Sequence, residues 1–141
     1  METVDIARPS PEKLSFDKFR EEVLRDYSIV CQSREASLLA RKEVLTGKAK
    51  FGIFGDGKEV AQIAMAKFFQ PGDFRSGYYR DQTFMFATGM ATVQQFFSQL
   101  YADPDVHNEP FSAGRQMNGH FATKLVQQHP GKCFNFSNGF F

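Results

Sequence analysis

The chain has 141 residues and a formal net charge of +1, from 17 basic and 16 acidic side chains. This length is enough for one domain with its own core, and 17 phenylalanines with no tryptophan predict an aromatic-rich core. The balanced charge argues against a nucleic-acid partner and against an anionic membrane surface, and no apolar run approaches the ~20 residues of a membrane-spanning helix.

The two ends of the chain and its cysteines lead to further expectations. Residues 1–14 contain Pro9 and Pro11 and few apolar groups, so we expect a flexible arm there. No signal peptide is visible, and Cys31 and Cys133 lie far apart without metal-ligand spacing, which favours reduced thiols in a cytoplasmic protein. Because the sequence ends on two phenylalanines, we interpret it as truncated before its next element.

The first regular element is a long helix from Ser15 to Thr46, or two helices with a break near residues 32–33. Ser15 suits the N-cap position, and Gly47 suits the position that follows the last turn. Apolar residues recur at helical spacing in its first half, at Phe16, Phe19, Val23, Tyr27 and Val30. A second row repeats every seven residues, at Leu24, Cys31, Leu38 and Leu45, and favours ordinary core packing over a coiled coil. The charged residues between them predict a solvated face.

The middle of the chain predicts a loop, a second helix, a turn and a short strand. Residues 48–57 contain three glycines and predict the loop, and residues 58–69 predict the helix. Its apolar side chains surround most of the helix, so we expect it to be largely buried. Proline and glycine predict a turn at residues 70–73, and residues 74–79 have the composition of a short strand.

The clearest amphipathic helix of the sequence follows at residues 92–101. Its apolar face is regular and comprises Val93, Phe96, Phe97, Leu100 and Tyr101, and the sequence Asp103–Pro104 ends the helix. Residues 106–119 are mostly polar and contain two glycines, so they predict a long loop. Loops of this length in compact domains tend to be functional or disordered.

The dipeptide Tyr79–Arg80 lies close after Gly77 and is the first candidate site. A tyrosine hydroxyl and a guanidinium would both donate hydrogen bonds to a diphosphate, because arginine presents a fork of donors that matches such anions. The alternative is a surface arginine paired with Asp81 or Asp73. Spacing alone leaves both interpretations open.

His120 and the sequence Gly55–Asp56–Gly57 are the other candidates. His120 follows Gly119 and is either a general acid or base near a reacting group, or a loop histidine that the backbone satisfies. Gly55–Asp56–Gly57 would suit a phosphate or a metal ion, but it also suits a turn that begins the second helix. Since no partner ligand stands nearby, the turn is favoured.

Three segments in this order resemble the start of the alpha subunit of 2-oxo acid dehydrogenases, namely residues 51–59, 79–82 and 114–121. These are the thiamine-diphosphate-dependent decarboxylating components of the pyruvate and branched-chain 2-oxo acid complexes. The resemblance covers roughly residues 15–123. It implies an α/β fold in which residues 15–141 form the N-terminal, mostly helical part of a thiamine-diphosphate-binding domain, truncated before the central sheet is complete.

The resemblance also implies roles for individual residues. Tyr79 and Arg80 match the pair that holds the diphosphate of the cofactor, and His120 matches the catalytic histidine of the active-site loop. The implied cofactors are thiamine diphosphate and Mg²⁺. Because the family's metal motif follows the histidine loop, we expect the Mg²⁺ ligands beyond residue 141 and no metal ligand in this chain.

The activity that the resemblance implies is oxidative decarboxylation of a 2-oxo acid with acyl transfer to lipoamide. Ile53 stands where pyruvate-type members have histidine, and residues 114–117 are closer to the branched-chain type, so a branched-chain substrate is favoured. The implied partners are a beta-type subunit or a fused beta half, a lipoyl-bearing acyltransferase component and the 2-oxo acid substrate. We expect no turnover by the 141 residues alone. The alternative is an inert truncated fragment, or an interaction module built on the long helix.

Overall fold

Four α-helices and no strand run through residues 15–69, 73, 75 and 77–121, the part of the chain that the computed structural model describes. They are α1 (Phe16–Leu45), α2 (Glu59–Phe68), α3 (Gln82–Ala87) and α4 (Val93–Leu100). These helices fit the helical part of the predicted fold, whereas the α/β class and the central sheet stay predictions. The arm predicted at residues 1–14 and the predicted end of the chain lie outside the described residues.

α1 is one continuous helix, as the first of the two alternatives predicted, and no break occurs near residues 32–33. The Ser15 side chain accepts a hydrogen bond from the Lys18 amide, and Gly47 adopts φ 77° after the last turn, as predicted. The core packing predicted for the seven-residue row is wrong for Leu24, Leu38 and Leu45, which are exposed. The apolar residues of the first turns are exposed as well, Phe16 at 74%. The buried residues of α1 all lie in its second half and are small or polar: Ser33, Ala36, Ser37, Ala40 and Glu43.

α2 begins one residue after the predicted start, but its predicted burial is wrong. Only Glu59, Gln62 and Ile63 are buried, and Phe68 is 82% exposed. α2 packs against α1 and α3, so a single face is covered. On that face Glu59 and Gln62 are polar and form hydrogen bonds, whereas apolar residues such as Phe68 lie on the side that faces solvent.

The short strand predicted at residues 74–79 is not found among its described members, since Arg75, Gly77 and Tyr78 have no regular structure and Tyr79 lies in a turn. The Asp81 carboxylate is the physical reason. It accepts hydrogen bonds from the Tyr78 amide at 2.8 Å and from the Arg75 guanidinium at 2.7 Å. The Asp81 amide in turn donates to the Tyr78 carbonyl at 3.0 Å, which closes the turn.

α3 was not predicted from the sequence, whereas α4 was, with a start at Thr92. Thr92 and Gln95 form a capping box that fixes the start of α4. The core contains Phe84 and Met85 from α3 with Phe96 and Leu100 from α4, and Phe96 makes edge contacts with three other phenylalanine rings. The core is therefore aromatic-rich, as the composition predicted. None of the described helices is both long and apolar enough to cross a membrane.

Candidate functional site

Tyr79 and Arg80 form a surface cluster with Tyr78, in which Tyr78 and Arg80 are exposed and Tyr79 is half-buried. The Arg80 guanidinium donates a hydrogen bond to the Tyr79 hydroxyl at 2.6 Å, and its central carbon lies 5.0 Å from the centre of the Tyr79 ring. The centres of the Tyr78 and Tyr79 rings are 4.1 Å apart. The alternative pairing of Arg80 with Asp81 is not observed, because Asp81 binds Arg75 instead. The guanidinium therefore lies at the surface beside two phenols.

The side chains around the Tyr79 hydroxyl shift its pKa. Hydrogen bonds from the Tyr78 hydroxyl and from the Arg80 guanidinium lower the pKa of Tyr79 from its ordinary value. Because the Arg80 guanidinium donates to its oxygen, the Tyr79 proton is available for another acceptor. Such an arrangement favours an anion at this surface.

The backbone of Arg80 is fixed by two contacts that the sequence did not reveal. Gln62 of α2 donates from its side-chain amide to the Arg80 carbonyl at 2.7 Å and accepts from the Phe84 amide at 3.0 Å. Gly55 lies so close that a Cβ atom there would stand 2.6 Å from the Arg80 carbonyl oxygen. The segment of residues 51–59 thus packs directly on the segment that contains Tyr79 and Arg80.

His120 lies in a turn whose geometry sets the state of its ring. The Nδ1 atom is 3.0 Å from the Met117 carbonyl oxygen. Since a carbonyl oxygen only accepts hydrogen bonds, Nδ1 is assigned the proton and Nε2 remains an acceptor. Nδ1 thus bonds the backbone, as expected for a loop histidine. Nε2 keeps the lone pair that a general acid or base would use.

The two turns lie side by side. The centres of the Tyr79 and His120 rings are 6.5 Å apart, and Gly119 packs on the Tyr79 carbonyl so closely that a Cβ atom would overlap it. Asn118 is buried beside them, and its side chain accepts from the Ile53 amide at 3.3 Å. All three motifs of the sequence therefore meet at one surface.

Glu109 organises the loop that leads to the histidine turn. Its side chain is 0% exposed, and its carboxylate accepts hydrogen bonds from the amides of Phe111, Ser112 and Gly114. The loop has no helix or strand, and this one carboxylate binds three of its backbone amides. The long loop predicted from the sequence is thus confirmed. The sequence alone did not distinguish Glu109 from the other polar residues of this loop.

Three buried amides around the site were not identified as site residues: Gln62, Gln99 and Asn118. Gln99 interrupts the apolar face of α4 between Phe96 and Leu100, and it hydrogen-bonds the backbone of both Gly119 and His120. A polar residue on the buried side of an amphipathic helix was the one available signal, because such a residue needs a hydrogen-bond partner.

Gly55–Asp56–Gly57 forms the turn that was favoured for it. Residues 56 and 57 make the turn before α2, and the Asp56 carboxylate pairs with Arg41 at 2.5 Å. Within residues 15–69, 73, 75 and 77–121, no group of three or more histidine, cysteine and acidic side chains is placed to hold a metal ion. Cys31 is a free thiol, and Cys133 lies outside the described residues.

Comparison with known proteins identifies a family. No curated protein and no solved structure matches the chain. A family model described as the dehydrogenase E1 component matches residues 30–131, which include all three motifs and both turns of the site. The chain therefore belongs to the dehydrogenase E1 component family, and its match is consistent with the N-terminal part of a 2-oxo acid dehydrogenase alpha subunit.

Proposed function

We propose that the chain supplies the diphosphate-holding surface of a thiamine-diphosphate-dependent 2-oxo acid dehydrogenase. Its family typically depends on this cofactor. The observation that carries the proposal is the meeting of two turns, one with an exposed arginine beside a phenol and the other with a histidine. Sequence positions 79 and 120 are far apart, so their proximity is a property of the fold.

The residues present fit a diphosphate by the chemistry of their donors. Arg80 carries a permanent positive charge with several N–H groups, and the Tyr79 hydroxyl is polarised by its neighbours. The donors come from adjacent residues of one turn whose backbone is fixed by Gln62 and Gly55. A fixed pair of donors loses little conformational freedom when an anion binds.

Each residue then has a defined task in the proposed enzyme. Arg80 neutralises negative charge of the diphosphate, and Tyr79 donates a hydrogen bond to it. His120 holds a proton on Nδ1 and presents Nε2 as an acceptor near the substrate. Thiamine diphosphate, when bound, supplies the carbanion chemistry of decarboxylation, and the protein positions and shields it. The Mg²⁺ ligands are proposed to lie outside this chain.

We favour a branched-chain 2-oxo acid as the substrate. Ile53, an apolar residue, has its backbone tied to Asn118 beside the histidine turn. An apolar side chain at that position suits an aliphatic substrate better than a charged or strongly polar one. The acyl group would pass to the lipoyl arm of an acyltransferase component, and a beta-type subunit or fused beta half would complete the site.

Replacing Arg80 tests the proposal. In the enzyme assembled with its beta-type partner, Arg80→Ala is expected to raise the dissociation constant of thiamine diphosphate about tenfold or more. A hydrogen bond to a charged group contributes about 1.5–3 kcal/mol, which corresponds to that range. Isothermal titration calorimetry in the presence of Mg²⁺ measures the change. Arg20→Ala, which removes an exposed arginine of α1 far along the chain, serves as the matched control.

Two results would contradict the assignment of the site. One is an unchanged affinity in the Arg80→Ala enzyme. The other is an equal loss of affinity in the Arg20→Ala enzyme, which would indicate a general effect of net charge rather than a specific contact.

A second candidate function is a helical interaction module, and the exposed apolar residues on the first half of α1 favour it. Phe16, Phe19, Val23, Leu24 and Tyr27 all lie at the surface, and clustered apolar residues at a surface often mark an interface. Calorimetry on the 141-residue chain alone separates the candidates. Micromolar binding of thiamine diphosphate with Mg²⁺ would contradict an inert module, whereas no binding alone but tight binding in the assembled enzyme supports a shared site.

A further inference from the structure

Gln99 lies on α4 with its side chain buried against the histidine turn. It is 2% exposed, its Nε2 atom donates to the His120 carbonyl at 2.7 Å, and its Oε1 atom accepts from the Gly119 amide at 2.7 Å. The two bonds bracket the Gly119–His120 backbone from both sides. One buried amide therefore holds the two residues whose conformation directs the imidazole ring.

The helix that carries Gln99 is itself firmly anchored. Its start is fixed by the capping box of Thr92 and Gln95, and Phe96 and Leu100 are buried in the core on either side of Gln99. A side chain on such a helix has little freedom to follow a moving loop. The histidine turn must therefore adapt to Gln99, rather than the reverse.

The turn held by Gln99 decides which ring nitrogen of His120 carries the proton. The Nδ1 atom donates to the Met117 carbonyl at 3.0 Å, and Gly119 lies between these residues in the left-handed conformation with φ 84°. If the Gly119–His120 backbone rotates, this contact is lost, and the proton on Nδ1 loses its acceptor. The position of the backbone and the tautomer of the ring are thus linked.

We propose that Gln99 is a positioning residue for His120, which keeps the imidazole in the tautomer with the proton on Nδ1 and the Nε2 lone pair free. The inference deepens the proposed function, because it rests on His120 acting near the substrate. It concerns the histidine alone and assigns nothing to the diphosphate contact of Tyr79 and Arg80. The test of the diphosphate contact and the test of the His120 tautomer can therefore have different outcomes.

Gln62 provides a matched comparison within the chain. It is a buried glutamine on α2 whose amide also makes two bonds to the backbone, to the Arg80 carbonyl and from the Phe84 amide. Gln62→Met and Gln99→Met remove the same chemistry and keep a similar side-chain volume. Only the second variant breaks the bonds to the histidine turn.

The experiment measures the ring ¹⁵N chemical shifts of His120 in the full chain at a pH where the imidazole is neutral, with His107→Gln and His129→Gln used to assign the signals. Wild type and Gln62→Met are expected to show the proton on Nδ1. Gln99→Met is expected to shift the ratio of the two tautomers about fivefold toward the form with the proton on Nε2, the size that one typical hydrogen bond confers.

Three results would overturn the proposal: a wild-type ring protonated on Nε2, an unchanged ratio in Gln99→Met, or equal changes in both glutamine variants. If Gln99→Met does not fold, the wild-type protein still decides through amide hydrogen exchange. The Gly119 amide must then exchange slowly because its acceptor is buried, and rapid exchange would refute the role of Gln99. An unchanged cofactor affinity in Arg80→Ala would refute the proposed function and leave the tautomer result standing.

Discussion

Two glycines determine how closely the backbones of the candidate site approach each other. Gly55 packs on the backbone of Arg80, and Gly119 packs on the carbonyl of Tyr79 with a positive φ. At position 119 glycine is required twice, because the left-handed conformation disfavours a side chain and because the neighbouring backbone occupies the space that a Cβ atom would need. The close approach of the two turns thus depends on single residues.

The double requirement at Gly119 gives a prediction with an internal control. Gly89 also has a positive φ, of 70°, but a Cβ atom there would meet nothing within 4 Å. Gly89→Ala is expected to lower the free energy of unfolding by about 1 kcal/mol, the cost of the conformation alone. Gly119→Ala is expected to cost about 1–3 kcal/mol more because of the overlap with Tyr79.

Urea denaturation of both glycine variants measures the difference. Nuclear magnetic resonance should in addition show changed signals for Tyr79 and His120 in Gly119→Ala only. Equal losses of stability in the two variants would show that the turns do not pack as tightly as described.

At the scale of elements, an ion pair joins the start of α2 to the middle of α1. The Arg34 guanidinium donates to both oxygens of the Glu59 carboxylate, at 2.6 and 2.9 Å, and the Gly57 amide donates to one of them at 2.9 Å. Glu59 is buried, whereas Arg34 is partly exposed. These hydrogen bonds, that of Arg34 above all, lower the pKa of Glu59 to about 2. The turn before α2 is stabilised through the same carboxylate.

The lowered pKa of Glu59 predicts a dependence of stability on pH. Because the folded state favours the ionised carboxylate, its contribution is complete above about pH 5 and is lost as the pH falls from about 4.5 towards 2. Glu59→Gln is expected to lower the free energy of unfolding at pH 7 by about 1–3 kcal/mol. It should also flatten the decline of stability between these pH values.

Urea denaturation at pH 7, 4 and 3 measures the effect of Glu59. Glu35→Gln, on the exposed side of α1, is the control and should change stability by less than about 0.5 kcal/mol. The ion pair would be judged unimportant if Glu59→Gln and the wild type lost stability in parallel on acidification.

At the scale of the whole molecule, the described residues combine a tight aromatic core with a large exposed apolar surface. Phe96 is 0% exposed, whereas Val60, Met65 and Phe68 on the outer face of α2 and several residues of α1 are exposed. Surfaces of this kind in soluble proteins mark places where another part of a protein packs. This distribution agrees with the proposal that a beta-type subunit or half completes the domain.

Two phenylalanine substitutions test the contrast between core and surface. Phe96→Ala is expected to lower the free energy of unfolding by about 3–5 kcal/mol because it leaves a cavity. Phe68→Ala is expected to change it by less than about 0.5 kcal/mol, because the side chain is 82% exposed. The second variant should also bind less of a fluorescent dye that recognises apolar surfaces.

Chemical denaturation and dye fluorescence report on the two variants separately. A large destabilisation by Phe68→Ala would mean that α2 is buried after all, as the sequence pattern had predicted. Unchanged dye binding would place the accessible apolar surface elsewhere, with the first half of α1 as the next candidate.

The sequence by itself determined the features that depend on neighbouring residues. Ser15 and Gly47 delimit α1, the apolar spacing of residues 93–101 predicts α4, and Gly55–Gly57 forms the expected turn. Caps, periodicity and turns are local, so a single sequence contains the information for them. The order of three motifs likewise sufficed for the resemblance to a family that the comparison then showed.

Only the tertiary structure decided which faces are buried and what the buried polar groups do. The apolar residues of α1 and α2 looked like core, but their burial depends on whether another element covers them, and for many of them none does among the described residues. Gln62 and Gln99 gain their roles from backbone partners 18–22 residues away, and Asn118 from Ile53, 65 residues away. Such partners are chosen by the packing of whole helices, which no local pattern encodes.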